Sequence, residues 1–168
     1  MNTMHRIYQN ASELKAALPS DARFTLVGGC FDLLHIGHVR LLEYAASLEG
    51  ALVVAVLSDR YISTYKSADR PIIPELQRTE MVASLRCVTA AYVSDESPNC
   101  CEALAMLQPT RIVFDETQRG TSKMELRLKH IAHVSPSTIV MYAPRLDGST
   151  LSTGHIICKI RHETPRPA

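Results

Sequence analysis

Apolar and polar residues alternate in blocks along the chain, and the block lengths predict strands and helices in turn. Phe24 to Gly28 is a short apolar run ending at Gly28-Gly29, which reads as a buried strand meeting a tight turn. Ala51 to Leu57 (ALVVAVL) is continuous and β-branched, the pattern of a parallel strand covered on both faces. Ala90 to Val93, Arg111 to Phe114 and Thr138 to Tyr142 predict three more strands. Helical spacing covers Ala11 to Leu18, with Asn10 or Ser12 as cap, and Ile36 to Leu48, with Val39, Leu41, Leu42, Tyr44 and Ala45 at compatible positions. Further helices are predicted over Pro74 to Arg86, Cys100 to Leu107, Met124 to His133 and Ser152 to Arg161. Tyr61 to Pro74 is polar with two prolines and reads as mostly loop. His162 to Ala168 reads as a frayed tail.

Strands that alternate with helices about five times predict an α/β doubly wound fold with a five-stranded parallel sheet, Rossmann-like. Such sheets bind ligands beyond the carboxyl ends of their strands, where the strand order reverses. One domain over residues 1–168 is expected, with a core at about 22–161 and a helical lead-in.

Bulk properties narrow the partners. A net charge of +1 gives no bulk attraction to nucleic acid or a membrane surface. The five cysteines are odd in number and include the adjacent pair Cys100-Cys101, which fits a reduced, cytoplasmic setting better than a disulfide framework. There is no CxxC pair for a zinc site. Met1 to Tyr8 lacks a leader-like apolar run, and no stretch approaches the roughly 20 apolar residues of a membrane helix.

The first candidate for chemistry lies between the first strand and the next helix: Gly28-Gly29-Cys30-Phe31-Asp32-Leu33-Leu34-His35-Ile36-Gly37-His38. Paired glycines let backbone approach a ligand closely. A helix opening near Ile36 turns free N–H groups and a positive dipole end outward, which suits a phosphate. His35 and His38 lie three apart and share a side of the first turn, a good receptor for phosphate charge that grows in a transition state. Two plainer readings compete. Each histidine is a solvated or core residue, or the pair binds a metal with Asp32 as third ligand. Lys66, in the polar stretch Tyr65 to Pro71, needs no explanation beyond solvation. Ser152, before the last helix, reads as an N-cap.

The string GxFDxxHxGH, ending here in His-Ile-Gly-His, resembles the hallmark of the cytidylyltransferase-like nucleotidyltransferases. Class I aminoacyl-tRNA synthetases share the tetrapeptide but carry a KMSKS loop that this chain lacks. Arg70-Pro71-Ile72-Ile73-Pro74 with Arg78 resembles the RPxxPxxxR stretch of heptose-phosphate adenylyltransferases. Gly148-Ser149-Thr150-Leu151-Ser152-Thr153 resembles ethanolamine-phosphate cytidylyltransferases, and Arg145 stands where glycerol-3-phosphate cytidylyltransferases have a phosphate-binding arginine. The likeness runs from about Phe24 to Ile160. It departs at Lys66-Ser67, where the family often has KG, and at Gly154, which replaces the second threonine of an ISTT signature. Phe114-Asp115-Glu116-Thr117 replaces a glycine-rich GDDW or KGGDY element.

The resemblance implies transfer of CMP or AMP from CTP or ATP to a phosphorylated sugar or alcohol. An acceptor oxygen attacks the α-phosphorus in line and pyrophosphate leaves. It implies His35, His38, Lys66 and Arg145 as catalytic groups. Gly29, Cys30, Phe31, Asp32, Gly37, Arg78, Ser152 and Thr153 are the implied nucleotide-binding set. Mg²⁺ is expected with the triphosphate, with no metal held by the protein itself. The expected partners are a nucleoside triphosphate and a small phosphorylated acceptor, with no nucleic acid or membrane, and a homodimer by resemblance. The alternative is a catalytically silent nucleotide-binding module of the same fold; a zinc-dependent hydrolase is a third reading.

Overall fold

The computed structural model describes residues 6–66, 69–96, 101–145 and 152–161. Six strands form one sheet: β1 (Ile7–Tyr8), β2 (Phe24–Gly29), β3 (Ala51–Leu57), β4 (Ala90–Ser94), β5 (Arg111–Asp115) and β6 (Ile139–Ala143). The helices are α1 (Ala11–Ala17), α2 (Ile36–Ala46), α3 (Asp59–Tyr65), α4 (Glu75–Ala83), α5 (Cys101–Leu107), α6 (Ser122–Val134) and α7 (Thr153–Ile160). All pairings are parallel, in the order β1-β4-β3-β2-β5-β6. The chain winds one way from β2 through β3 to β4, then the other way through β5 and β6. The order therefore reverses between β2 and β5, where a crevice opens at the carboxyl ends.

β3 explains why the sheet is covered twice. Val53 and Ala55 join a cluster with Leu14 of α1, Leu104 of α5 and Ile131 of α6. Leu52, Val54 and Val56 join a second cluster with Leu42 of α2 and Val82 of α4. Successive strand residues face opposite sides, so an unbroken apolar run serves a sheet buried on both faces.

Two elements differ from the sequence reading. The sheet has six strands rather than five, because Ile7 and Tyr8 pair beside Ala91 and Tyr92 of β4. Two residues carry no detectable periodicity. Asp59 to Tyr65 is helical where mostly loop is expected, because Ser58 Oγ accepts the Tyr61 N–H at 3.1 Å and caps the turn. The prolines that signalled a loop, Pro71 and Pro74, lie beyond its end. No described helix is long and apolar enough to cross a membrane. The Gly148 to Leu151 stretch and the His162 to Ala168 tail lie outside the described residues.

Two buried charges fasten the crevice. Asp32 is completely buried, and its carboxylate accepts from Arg70 Nε at 2.9 Å and from the N–H groups of Ile72 and Ile73 at 3.1 and 3.0 Å. Arg78 is also fully buried. Its guanidinium donates to the carbonyls of Ile73 and Cys30 and to Asp59 Oδ1, the last at 2.6 Å. A buried charge persists only when its partners are in place. Asp32→Ala strands Arg70 and two peptide N–H groups, so we expect it to lower unfolding free energy by about 3–5 kcal/mol. Urea denaturation measures this, and a change below about 1 kcal/mol would remove Asp32 from the fastening role.

Candidate active site

The loop joining β2 to α2 makes an unusual turn. Phe31 and Leu33 adopt φ values of 51° and 50°, the left-handed region that bulky side chains rarely enter. Packing enforces it: the Phe31 ring is buried and lies edge-on to His38, centroids 5.3 Å apart. A Cβ on Gly29 would stand 3.1 Å from that ring. A side chain at Gly29 would crowd Phe31, and Gly29 also lies on the crevice.

α2 then starts at His35, whose Nδ1 accepts the Gly37 N–H at 3.1 Å. An accepting Nδ1 places the proton of the neutral ring on Nε2. His38 stacks on His35 at 3.8 Å between centroids. Burial, then the nearby charge of Arg145, lowers the pKa of His35. Burial, then the charges of His35 and Lys66, lowers that of His38 to about 4, against weaker opposing effects of Asp32 and Asp115. Both rings are neutral donors at physiological pH.

A lobe of about 460 Å³ opens in front of the imidazoles. It brings together His35, His38, Lys66, Arg145, Ser152 and Thr153, from four separate stretches of chain. Gly29, Phe31 and Gly37 also line it. Lys66 is the C-cap of α3 rather than a mid-loop residue. Arg145 Nε lies 3.3 Å from Asp115 Oδ1. Burial pushes the Asp115 carboxyl up, but hydrogen bonds from Thr117, together with Arg145, outweigh it and hold the carboxyl below its ordinary range. Ser152 Oγ caps α7 through the His155 N–H at 3.3 Å, and Thr153 Oγ1 donates to the Asp32 carbonyl at 2.7 Å. These hydroxyls are committed within the protein, and the first turn of α7 is tied to the β2–α2 loop.

Asp32 and Arg78 line neither this lobe nor the next; they sit behind it as fasteners. The Asp32 carboxylate is held by Arg70, Ile72 and Ile73, so it does not serve as a third metal ligand beside the histidines. Among the described residues, no three His, Cys, Asp or Glu side chains are grouped to hold a metal ion.

A second lobe of about 460 Å³ adjoins the first, and Gly28, Gly29, Lys66, Thr117 and Gln118 line both. Cys30 faces this second lobe, with Tyr61 and Tyr65 of α3 and with Lys123 and Arg127 of α6. Sequence reasoning singled out none of the last four, nor Arg70, Asp115, Thr117 and Gln118 as site residues. The one available signal was the spacing of Lys123 and Arg127, four apart and so on one helix face.

The His38 pKa has a consequence for stability. The folded value of about 4 lies below the ordinary 6.5. The unfolded chain therefore takes up the proton first, and the contribution of His38, complete above pH 6.5, is lost as the pH falls to about 4. The loss is about 3 kcal/mol. Chemical denaturation at pH 7 and pH 4 should show the parent losing that much more than His38→Gln; equal losses would contradict a neutral buried imidazole.

The family model described as cytidylyltransferase-like matches residues 26–159. A protein from Geotalea uraniireducens named bifunctional protein HldE is 37% identical over 153 residues, covering 90% of this chain and 29% of its own length. Its namesake from Koribacter versatilis is 43% identical over 77 residues, 46% of this chain and 16% of its own. The chain thus spans less than a third of the length of these relatives. A solved lipopolysaccharide core biosynthesis protein from Thermoplasma volcanium superposes with a TM-score of 0.63 at 24% identity, over 74% of this chain and 98% of that one. Pantothenate synthetase from Thermus thermophilus gives 0.60 at 17% identity, over 90% of this chain and 67% of that one. These two share the fold, and the chain belongs to the cytidylyltransferase-like family.

Proposed function

We propose that the protein is a nucleotidyltransferase that moves a nucleoside monophosphate from a nucleoside triphosphate to a small phosphorylated acceptor. The observation that carries this reading is the cationic lobe, where two stacked neutral imidazoles meet Lys66, Arg70 and Arg145. An acceptor phosphate oxygen attacks the α-phosphorus. The bond from that phosphorus to the bridging oxygen breaks, and pyrophosphate leaves with the electron pair. No protein nucleophile is needed, so catalysis is positioning plus stabilisation of charge.

His35 offers Nε2–H to the α-phosphate region, with His38 stacked against it. A neutral donor gains strength as the phosphate oxygens gain charge. Lys66, Arg70 and Arg145 offset the triphosphate charge. The peptide N–H groups of Thr153 and Gly154, in the first turn of α7, lack intrahelical partners and suit the departing pyrophosphate. Gly29 and Gly37 contribute backbone to the same lobe, while Asp32 and Arg78 position the loops. Mg²⁺ would arrive on the triphosphate, held by phosphate oxygens and water, with Asp115 the carboxylate that lines the lobe. The RPxxPxxxR stretch and the HldE relatives favour AMP transfer to a sugar phosphate over CMP transfer to a phospho-alcohol.

Pyrophosphate release from ATP and CTP, across a panel of sugar and alcohol phosphates, tests the reading. Turnover is expected with one triphosphate and one acceptor class. Tight nucleotide binding with no pyrophosphate from any acceptor would instead support the silent module. His38→Ala should lower kcat about 10²–10³-fold; a change of only a few fold removes His38 from the mechanism.

A further inference from the structure

The second lobe is charged on one side of the ledger only. Lys66, Lys123 and Arg127 line it, and no carboxylate does so among the described residues. Lys123 Nζ lies 3.7 Å from the centroid of the Tyr65 ring, which stacks on Tyr61 with centroids 5.9 Å apart. Arg127 Nη1 donates to Gln118 Oε1 at 2.8 Å, and its guanidinium lies 6.0 Å from the Phe114 ring centroid. These neighbours orient the two cations without neutralising them. Burial, then the charge of Arg127, lowers the Lys123 pKa, as expected where like charges face one cavity. The rest of the wall is hydroxyl and amide: Tyr61, Tyr65, Thr117, Gln118 and Thr121.

We infer that this lobe is the acceptor subsite, in which Lys123 and Arg127 grip the phosphate of a phosphate monoester whose carbon skeleton is hydroxylated and uncharged, of the sugar-phosphate kind. The inference rests on the transferase reading above and narrows it. The lobe meets the first at Gly28 and Gly29, so a phosphate held there faces the α-phosphate lobe across the glycine turn. The hydroxyl and amide wall then faces the polyol. A phospho-aminoalcohol is disfavoured, because its ammonium would enter a cavity to which the described residues bring three cations and no carboxylate, and Lys123 already covers the Tyr65 face. α6 thus supplies the anion contacts in a chain that lacks a glycine-rich element after β5.

Isothermal titration calorimetry of the full chain and its Lys123→Met and Arg127→Met variants provides the test, with glucose 1-phosphate, glycerol 3-phosphate and phosphoethanolamine as probes. Methionine keeps the apolar stem and removes the charge; thermal unfolding checks the fold. The parent should bind at least one uncharged-skeleton ester about tenfold or more tightly than phosphoethanolamine. Each variant should weaken that binding roughly 10- to 100-fold, as loss of a charged hydrogen bond does, with ATP and CTP affinities moved less than about threefold. The assignment is overturned if phosphoethanolamine binds as well, if no ester binds the parent, if the variants keep their affinity, or if the loss falls on the triphosphate. Pyrophosphate release separates the two readings. The predicted binding order without turnover defeats the transferase reading alone, whereas turnover unaffected by either variant defeats this inference alone.

Discussion

The crevice depends on the burial of one carboxylate. Asp32 is sealed from solvent, and a charge so placed must be met by donors on every side. Its partners are Arg70 and the N–H groups of Ile72 and Ile73, about forty positions along the chain. Its own carbonyl accepts from Thr153, more than a hundred positions along. A single residue of the β2–α2 loop thereby pins the segment after α3 and the start of α7. Arg78 repeats the device, joining the carbonyls of Cys30 and Ile73 to Asp59. Neither side chain touches the cavities, yet removing either would release the segments that supply Lys66, Arg70 and Thr153. The left-handed turn at Phe31 and Leu33 is maintained by the same surroundings.

The electrostatic state of the crevice follows from that assembly. Fastening segments together buries a stacked imidazole pair and crowds Lys66 and Arg145 around it, so the rings resist protonation first through burial and then through the neighbouring positive charge. The neutral state fixes the tautomer of His35 through its cap on Gly37. A polyanion entering the lobe would supply the missing charge and change the balance. The same cations that help keep the histidines neutral thus make the lobe receptive to a triphosphate.

The sequence made some of this legible and hid the rest for identifiable reasons. β3 is readable because burial on both faces demands an unbroken apolar run, and ALVVAVL has no other simple explanation. β1 is not, because two residues at a sheet edge leave no pattern. α3 was concealed by polar composition and by prolines that lie past its end. His35 and His38 are readable because they are neighbours in sequence and share one helical turn. The pairing of Asp32 with Arg70 is not, because its spacing is set by the fold. Lys123 and Arg127 look like a solvated helix face until Lys123 is seen over the Tyr65 ring and both line one cavity.

The segment after β5 gives the crevice its polarity. There Asp115 caps the 3₁₀ turn Glu116–Gln118, and Thr121 then caps α6. The Asp115 carboxylate is shared between Thr117 and Arg145, so its negative charge stays at the edge of the first lobe. Among the described residues no carboxylate lines the second lobe, where Lys66, Lys123 and Arg127 stand together. An anion diffusing into the crevice meets part-neutralised charge on one side of the glycine turn and uncompensated charge on the other. Two anionic groups that repel each other in water can be held side by side only where each has its own cations. Arg70 and Arg145 on one lobe, Lys123 and Arg127 on the other, and Lys66 shared between them meet that requirement.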